Sequence, residues 1–78
     1  MTGILEAREA LDRAREDAKD LVDRARARLG LEMIQARENS KESQATISAK
    51  MGYIGTQQVR SYEQAYREWA DRHPGQTP

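Results

Sequence analysis

SQATISAKMGYIGTQQVRSYE, residues 43–63, is the stretch whose reading decides how this chain folds. It divides into two short helices around a turn. Ser43 carries a hydroxyl that can accept from the free N–H groups of a first helical turn, which predicts an N-cap and a helix over about 44–51. Gly52 stands where helices commonly end in a left-handed residue. Gly55 or Thr56 then opens a further helix, with Val59, Tyr62, Tyr66 and Trp69 spaced along one face until Pro74 stops it. Two readings compete for this stretch: a DNA-reading element, or merely the corner of a small helical bundle.

Composition narrows the fold. The chain has 78 residues, room for one small domain, and chains of this size bury only about 60% of their unfolded surface. It has no cysteine, so neither a disulfide nor a cysteine–histidine zinc site is available as a staple. Self-association is the remaining common source of stability. Phenylalanine is absent, a third of the residues are charged, and Ala, Arg, Glu, Leu and Gln dominate. Those are good helix formers. The expected fold class is all-α: a long N-terminal amphipathic helix followed by a helix-turn-helix, dimeric through the N-terminal helix.

From Ile4 to Arg28 apolar residues recur at alternating steps of three and four: Ile4, Ala7, Leu11, Ala14, Ala18, Leu21 and Ala25. That is a heptad-like seam of about three repeats, which argues for helix pairing. Leu5 and Val22 are read as widening it. Acid-to-base spacings of four, such as Glu9 with Arg13 and Asp20 with Arg24, each add about 0.2–0.5 kcal/mol to a helix. The seam is mostly alanine, so a lone helix gains little by burying it, yet small residues let two helices approach closely. The simplest partner is the same helix of a second subunit. Gly30 marks either a kink or a boundary between two helices. The expected organisation is an oligomerisation helix over 1–28, a helix-turn-helix domain over 29–72 and a flexible tail over 73–78, with His73 solvated.

From Leu29 onward the sequence resembles the phage-repressor-type helix-turn-helix family, also called XRE or Cro-like. The resemblance covers about 35 residues and rests on Leu29-Gly30, Met33 and Ala36-Arg37 for the first helix, then Gln44, Ile47, Ser48 and Gly52 for the second, and Val59 and Tyr62-Glu63 for the third. Tyr53, Ile54 and Gly55 make the turn one residue longer than in that family. The resemblance implies a close crossing of the second and third helices at Ser48, with Ile47 and Val59 filling the wedge. It also implies a bridge between Arg37 and Glu63.

The third helix would then present Thr56, Gln57, Arg60 and Ser61 to base edges in a major groove. Glutamine pairs bidentately with adenine and arginine with guanine, which suits those residue types. Lys41, Gln44 and Lys50 are placed to meet phosphates, with Tyr53 at the turn as a further DNA or partner contact. The implied partners are double-stranded DNA, as an inverted repeat with half-sites about 34–36 Å apart, and a second copy of the chain.

Other function classes find little support. Thirteen basic and thirteen acidic residues cancel, so net charge does not point to nucleic acid, although a binding face is a local property. There is no plausible nucleophile–histidine–acid set and no phosphate-cradling glycine loop. The expectation is a protein that is not an enzyme and needs no cofactor and no metal. No apolar run reaches the length of a membrane span and no leader pattern opens the chain, so a cytoplasmic, nucleoid-associated setting is expected. Arginine-rich, alanine-rich usage points to a GC-rich bacterial or phage source. A transcriptional regulator is the reading that results. Its alternative is a coiled-coil interaction or scaffold protein whose second half only closes a bundle.

Overall fold

A computed structural model describes residues 3–78 and is all-helical, with no strand among the described residues. Helix α1 spans Gly3–Asn39, α2 Gln44–Met51 and α3 Gln57–Arg72. At about 1.5 Å per residue α1 is about 55 Å long, so it sets the 60 Å longest dimension of the molecule. No helix is long and apolar enough to cross a membrane among the described residues.

Helix α1 passes through Gly30 without interruption. The division at residue 28 therefore falls inside one continuous rod. The glycine is needed for packing instead. A Cβ built on Gly30 would lie 2.0 Å from the backbone oxygen of Tyr62 and 3.0 Å from the Cβ of Tyr66, so only hydrogen lets the α3 backbone come this close. Helix α3 runs antiparallel to the second half of α1: Glu63 meets Arg37, Tyr62 and Tyr66 meet Gly30, and Trp69 shares a cleft with Asp20, Asp23 and Arg24.

The core is small. Met33, Ile47 and Val59 form its centre, one from each helix, with Leu29, Ala36, Tyr53 and Tyr62 packed around them. Ala27 and Trp69 are buried at the far end of the α1–α3 contact. The spacing that singled out Val59, Tyr62, Tyr66 and Trp69 is thus a packing face. His73 differs from its expected solvated state. Its ring stacks on Trp69 at 4.2 Å between centroids, with Nδ1 2.9 Å from the Trp69 carbonyl. The tail also returns to the body: Pro78 is buried and its carbonyl accepts from Arg28 Nη1 at 3.4 Å.

The first half of α1 contributes nothing to this core. Every residue from Gly3 to Val22 is exposed, including Ile4 at 73%, Leu11 at 49% and Leu21 at 68%. The face of α1 turned to α3 carries Ala27, Gly30 and Met33. At 100° per residue the Ile4–Ala25 seam is centred about 130° around the helix from that face. Val22 lies at the edge of the seam, but Leu5, one residue from Ile4, points away from it and lines up with the α3-facing side. The ion pairs expected along α1 are also sparser than their spacing suggests. Arg13 donates to the backbone carbonyl of Glu9 at 3.4 Å, while Arg28 and Glu32 do pair, at 3.0 Å.

Helix propensity and packing make opposite predictions for Gly30→Ala. Propensity alone would favour alanine by about 1 kcal/mol. Overpacking against the Tyr62 backbone costs about 1–3 kcal/mol in a close-packed contact, and here the obstacle is main chain rather than a side chain that can swing aside. The expected result is a net loss of stability in urea denaturation. A stabilised Gly30→Ala protein would show that the helices are not held this close.

Candidate nucleic-acid interface

Helix α2 begins and ends at the residues its sequence designates. The Ser43 hydroxyl accepts from the Thr46 N–H at 3.1 Å, satisfying a donor that the helix start leaves free. At the other end Gly52 is left-handed with φ 76°. Its N–H donates to Ala49 at 3.2 Å, and the Tyr53 N–H donates to Ser48 at 3.0 Å. That pair of bonds is a Schellman motif, which closes the last carbonyls of α2.

Ser48 does more than keep the helix crossing narrow. Buried at 3% exposure, its hydroxyl donates to the carbonyl of Gly55 and lies 3.4 Å from that of Tyr53. The turn is therefore tied to the body of α2 from inside. Gly55 is also left-handed, at φ 69°. The turn runs through Tyr53-Ile54-Gly55, which leaves Ile54 97% exposed. Thr56 occupies the N-cap position of α3 without a side-chain capping bond.

Once the turn is tied down, the two sides of α3 separate. Val59 and Glu63 face inward and are buried, while Gln57, Gln58, Arg60, Ser61 and Gln64 are exposed. Of the expected base-reading residues, Gln57, Arg60 and Ser61 share that outward side and Thr56 is half-buried at its start. Residues three and four apart lie on one helix face, which is why Gln57, Arg60, Ser61 and Gln64 fall together.

Glu63 holds the three helices at one point. Its carboxylate is 1% exposed, and Oε1 accepts from Arg37 Nη1 at 2.5 Å and from Gln44 Nε2 at 3.4 Å. Arg67 Nη2 stands 3.8 Å from the same oxygen, while Oε2 is buried without a hydrogen-bond partner. The pair that the resemblance implied is thus present, and Arg37, with 39% of its side chain exposed, remains its solvent-facing half. Arg67 at i+4 from Glu63 went unmarked in the sequence, although that spacing was the available signal.

The expected phosphate contacts are distributed less freely than their sequence positions suggest. Gln44 is half-buried and occupied on both ends: it donates to Glu63 and its Oε1 accepts from Arg60 Nε at 3.3 Å. Lys50 is ion-paired with Glu42. Lys41 is exposed in the α1–α2 connection and takes a positive φ of 54°, a conformation that costs a non-glycine residue about 1 kcal/mol. Tyr53 is half-buried and stacks on Tyr62 with centroids 6.4 Å apart. Desolvation, and then the neighbouring Tyr62 hydroxyl, push its own hydroxyl above the usual tyrosine value, so it is a neutral group at ordinary pH.

Charge on the chain is segregated. No Asp or Glu occurs from Ser43 to Tyr62, a run that contains both Lys50 and Arg60, whereas seven of the thirteen acidic residues lie within residues 1–28. Among the described residues there is no cluster of His, Cys, Asp or Glu suited to a metal ion. Comparison of the chain with family models, with curated proteins and with solved structures finds no match.

The Glu63 network predicts an asymmetric pair of variants. Removing one partner of a buried ion pair costs about 3–5 kcal/mol because the other charge is stranded. Arg37 is partly solvated, so Arg37→Met is expected near the lower end of that range. Adding Glu63→Gln to Arg37→Met removes the stranded charge and should recover part of the loss. A double variant less stable than the sum of its singles, measured by denaturant unfolding, would refute this account.

Proposed function

We propose that this chain is a small sequence-specific double-stranded DNA-binding protein, a homodimeric bacterial or phage transcriptional regulator acting at the nucleoid in the cytoplasm. The observation that carries the reading is the outward side of α3. It combines exposed Gln57, Arg60 and Ser61 with a surrounding stretch, residues 43–62, free of carboxylates. A chain with one acidic residue in six overall has its longest acid-free stretch where a phosphate backbone would approach. Glutamine and arginine at the start of a helix can read adenine and guanine edges in a major groove.

The mechanism divides the labour. Helices α1 and α2 brace α3 through Met33, Ile47, Val59 and the Glu63 carboxylate. Lys41 and Lys50 approach phosphates and set register, which carries no sequence information by itself. Gln57 and Arg60 supply base contacts, with Thr56 and Ser61 beside them. Gln44 orients Arg60 and can turn toward a phosphate when Arg60 engages a base. The exposed seam of α1 joins two copies, so that two α3 helices meet two half-sites a whole number of helical turns apart.

Selection of bound sequences from a random duplex pool at moderate salt tests this directly. The regulator reading predicts enrichment of an inverted repeat and an affinity that falls steeply with added salt as counterions are released. The coiled-coil scaffold reading predicts neither, and an unenriched pool would decide for it. Against an enriched site, Gln57→Ala or Arg60→Ala should cost about 1–3 kcal/mol each and relax preference at one position per half-site. If both bind as the parent does, α3 is not the reading helix. Replacing Leu11 and Leu21 together by Lys should dissociate the subunits and weaken duplex binding in parallel. A doubly substituted protein that still sediments as a dimer would place the interface elsewhere.

A further inference from the structure

Ile54, at the tip of the α2–α3 turn, is more exposed than any other large apolar side chain among the described residues. A lone exposed apolar residue needs no explanation in itself. This one differs in how firmly it is presented. Gly52 and Gly55 bracket it in left-handed backbone, at φ 76° and 69°, a conformation glycine adopts without steric cost. The Ser48 hydroxyl donates to the Gly55 carbonyl, and the Tyr53 N–H donates to the Ser48 carbonyl at 3.0 Å. Tyr53 is further fixed by its stack on Tyr62. The backbone is thus bonded on both sides of Ile54 while its side chain stays in water.

Place and size decide what covers it. Ile54 precedes Gln57, the first residue of α3, by three positions, so their Cα atoms lie within about 11 Å. Three base-pair steps span about 10 Å of duplex, so a groove that admits the start of α3 meets Ile54 beside it. Residues 43–62 hold Lys50 and Arg60 and no carboxylate, which suits a polyanion. The apolar spot is too small for a protein partner. Met51 is the other large exposed apolar side chain in that stretch, whereas a stable protein–protein contact takes about 800 Å² from each side. A spot of one side chain instead matches the apolar group that base edges present in a major groove, the C5-methyl of thymine.

Resting on the DNA-binding reading above, we propose that Ile54 is a specificity-determining residue that packs on a thymine C5-methyl beside the bases met by Gln57 and Arg60. Glutamine and arginine select adenine and guanine edges by hydrogen bonds. Ile54 adds a different kind of selection, a preference for thymine over cytosine that comes from shape and from water released. Burying one methyl-sized apolar group is worth about fourfold in affinity. The rigid turn matters because a side chain already held in place loses little freedom on contact.

Uracil pairs with adenine as thymine does but lacks the methyl group, so it isolates the contact. The probe is the duplex that the parent protein enriches from the random pool, with each thymine replaced in turn by uracil. Parent binding should fall about fourfold at one position per half-site. Ile54→Ser should lose about the same factor on the thymine duplex and be indifferent to uracil at that position. Ile54→Val keeps a branched apolar surface and should keep the discrimination. Because Ile54 is so exposed, both variants should unfold at the parent's urea midpoint, which separates lost binding from lost fold. A flat uracil scan overturns the proposal. So does a uracil penalty that persists undiminished in Ile54→Ser, or a loss in that variant that is equal on thymine and uracil duplexes. A pool that enriches no duplex sinks the DNA-binding reading and the Ile54 contact together; an enriched duplex to which Ile54 is indifferent sinks the contact alone.

Discussion

Contact between the backbones of α1 and α3 at Gly30 is the constraint on which the rest of the molecule depends. There is no room for a side chain between Gly30 and the Tyr62 carbonyl. With the helices that close, one side of α3 is consumed by α1 from Val59 to Trp69. Its other side is left to solvent along Gln57, Arg60, Ser61 and Gln64. A wider separation would need larger core residues than Met33, Ile47 and Val59 to fill it, and would pull Arg37 away from Glu63. The close approach, the small core and the buried ion pair therefore stand or fall together. The first half of α1 gains nothing from any of them, which is why so small a core makes the exposed seam informative rather than incidental.

Much of this was legible in the sequence because capping chemistry is local. Ser43 and Gly52 mark the ends of α2 through bonds to residues three to five positions away, and the structure places those ends where the residues indicate. The Arg37–Glu63 bridge was legible only through the resemblance, since nothing in the spacing of residues 26 positions apart implies contact. Gly30 was not legible. A glycine within a helical pattern lowers helix propensity whatever its surroundings, and the chain alone does not show whether another backbone lies over it. The bonds that Gln44 makes within the molecule were not legible for a related reason. A polar residue at a helix start looks available to a ligand until its neighbours in space, Glu63 and Arg60, are known.

The Gln44 bridge links the two tasks of α3. Its amide nitrogen reaches the buried carboxylate that fastens the helices, and its amide oxygen holds the guanidinium that projects from the outward face. Arg60 is thereby restrained, and a restrained side chain would lose less entropy in any binding than a free one. Glu63 keeps one oxygen without a hydrogen bond, so the network is under-satisfied on its inner side. Both neighbouring guanidiniums, Arg37 and Arg67, lie on its Oε1 side. The carboxylate is therefore balanced from one direction, and Arg37 carries most of that balance.

Zero net charge is often taken as evidence against an anionic partner, but that inference assumes mixed charges, and in this chain they are segregated. Six of the thirteen acids sit on the free half of α1, remote from the outward face of α3. Residues 43–62 retain lysine and arginine with no carboxylate among them. Beyond a Debye length, about 8–10 Å at ordinary salt, the acidic half of α1 contributes little to the potential at that face. What matters to a phosphate is the local surface.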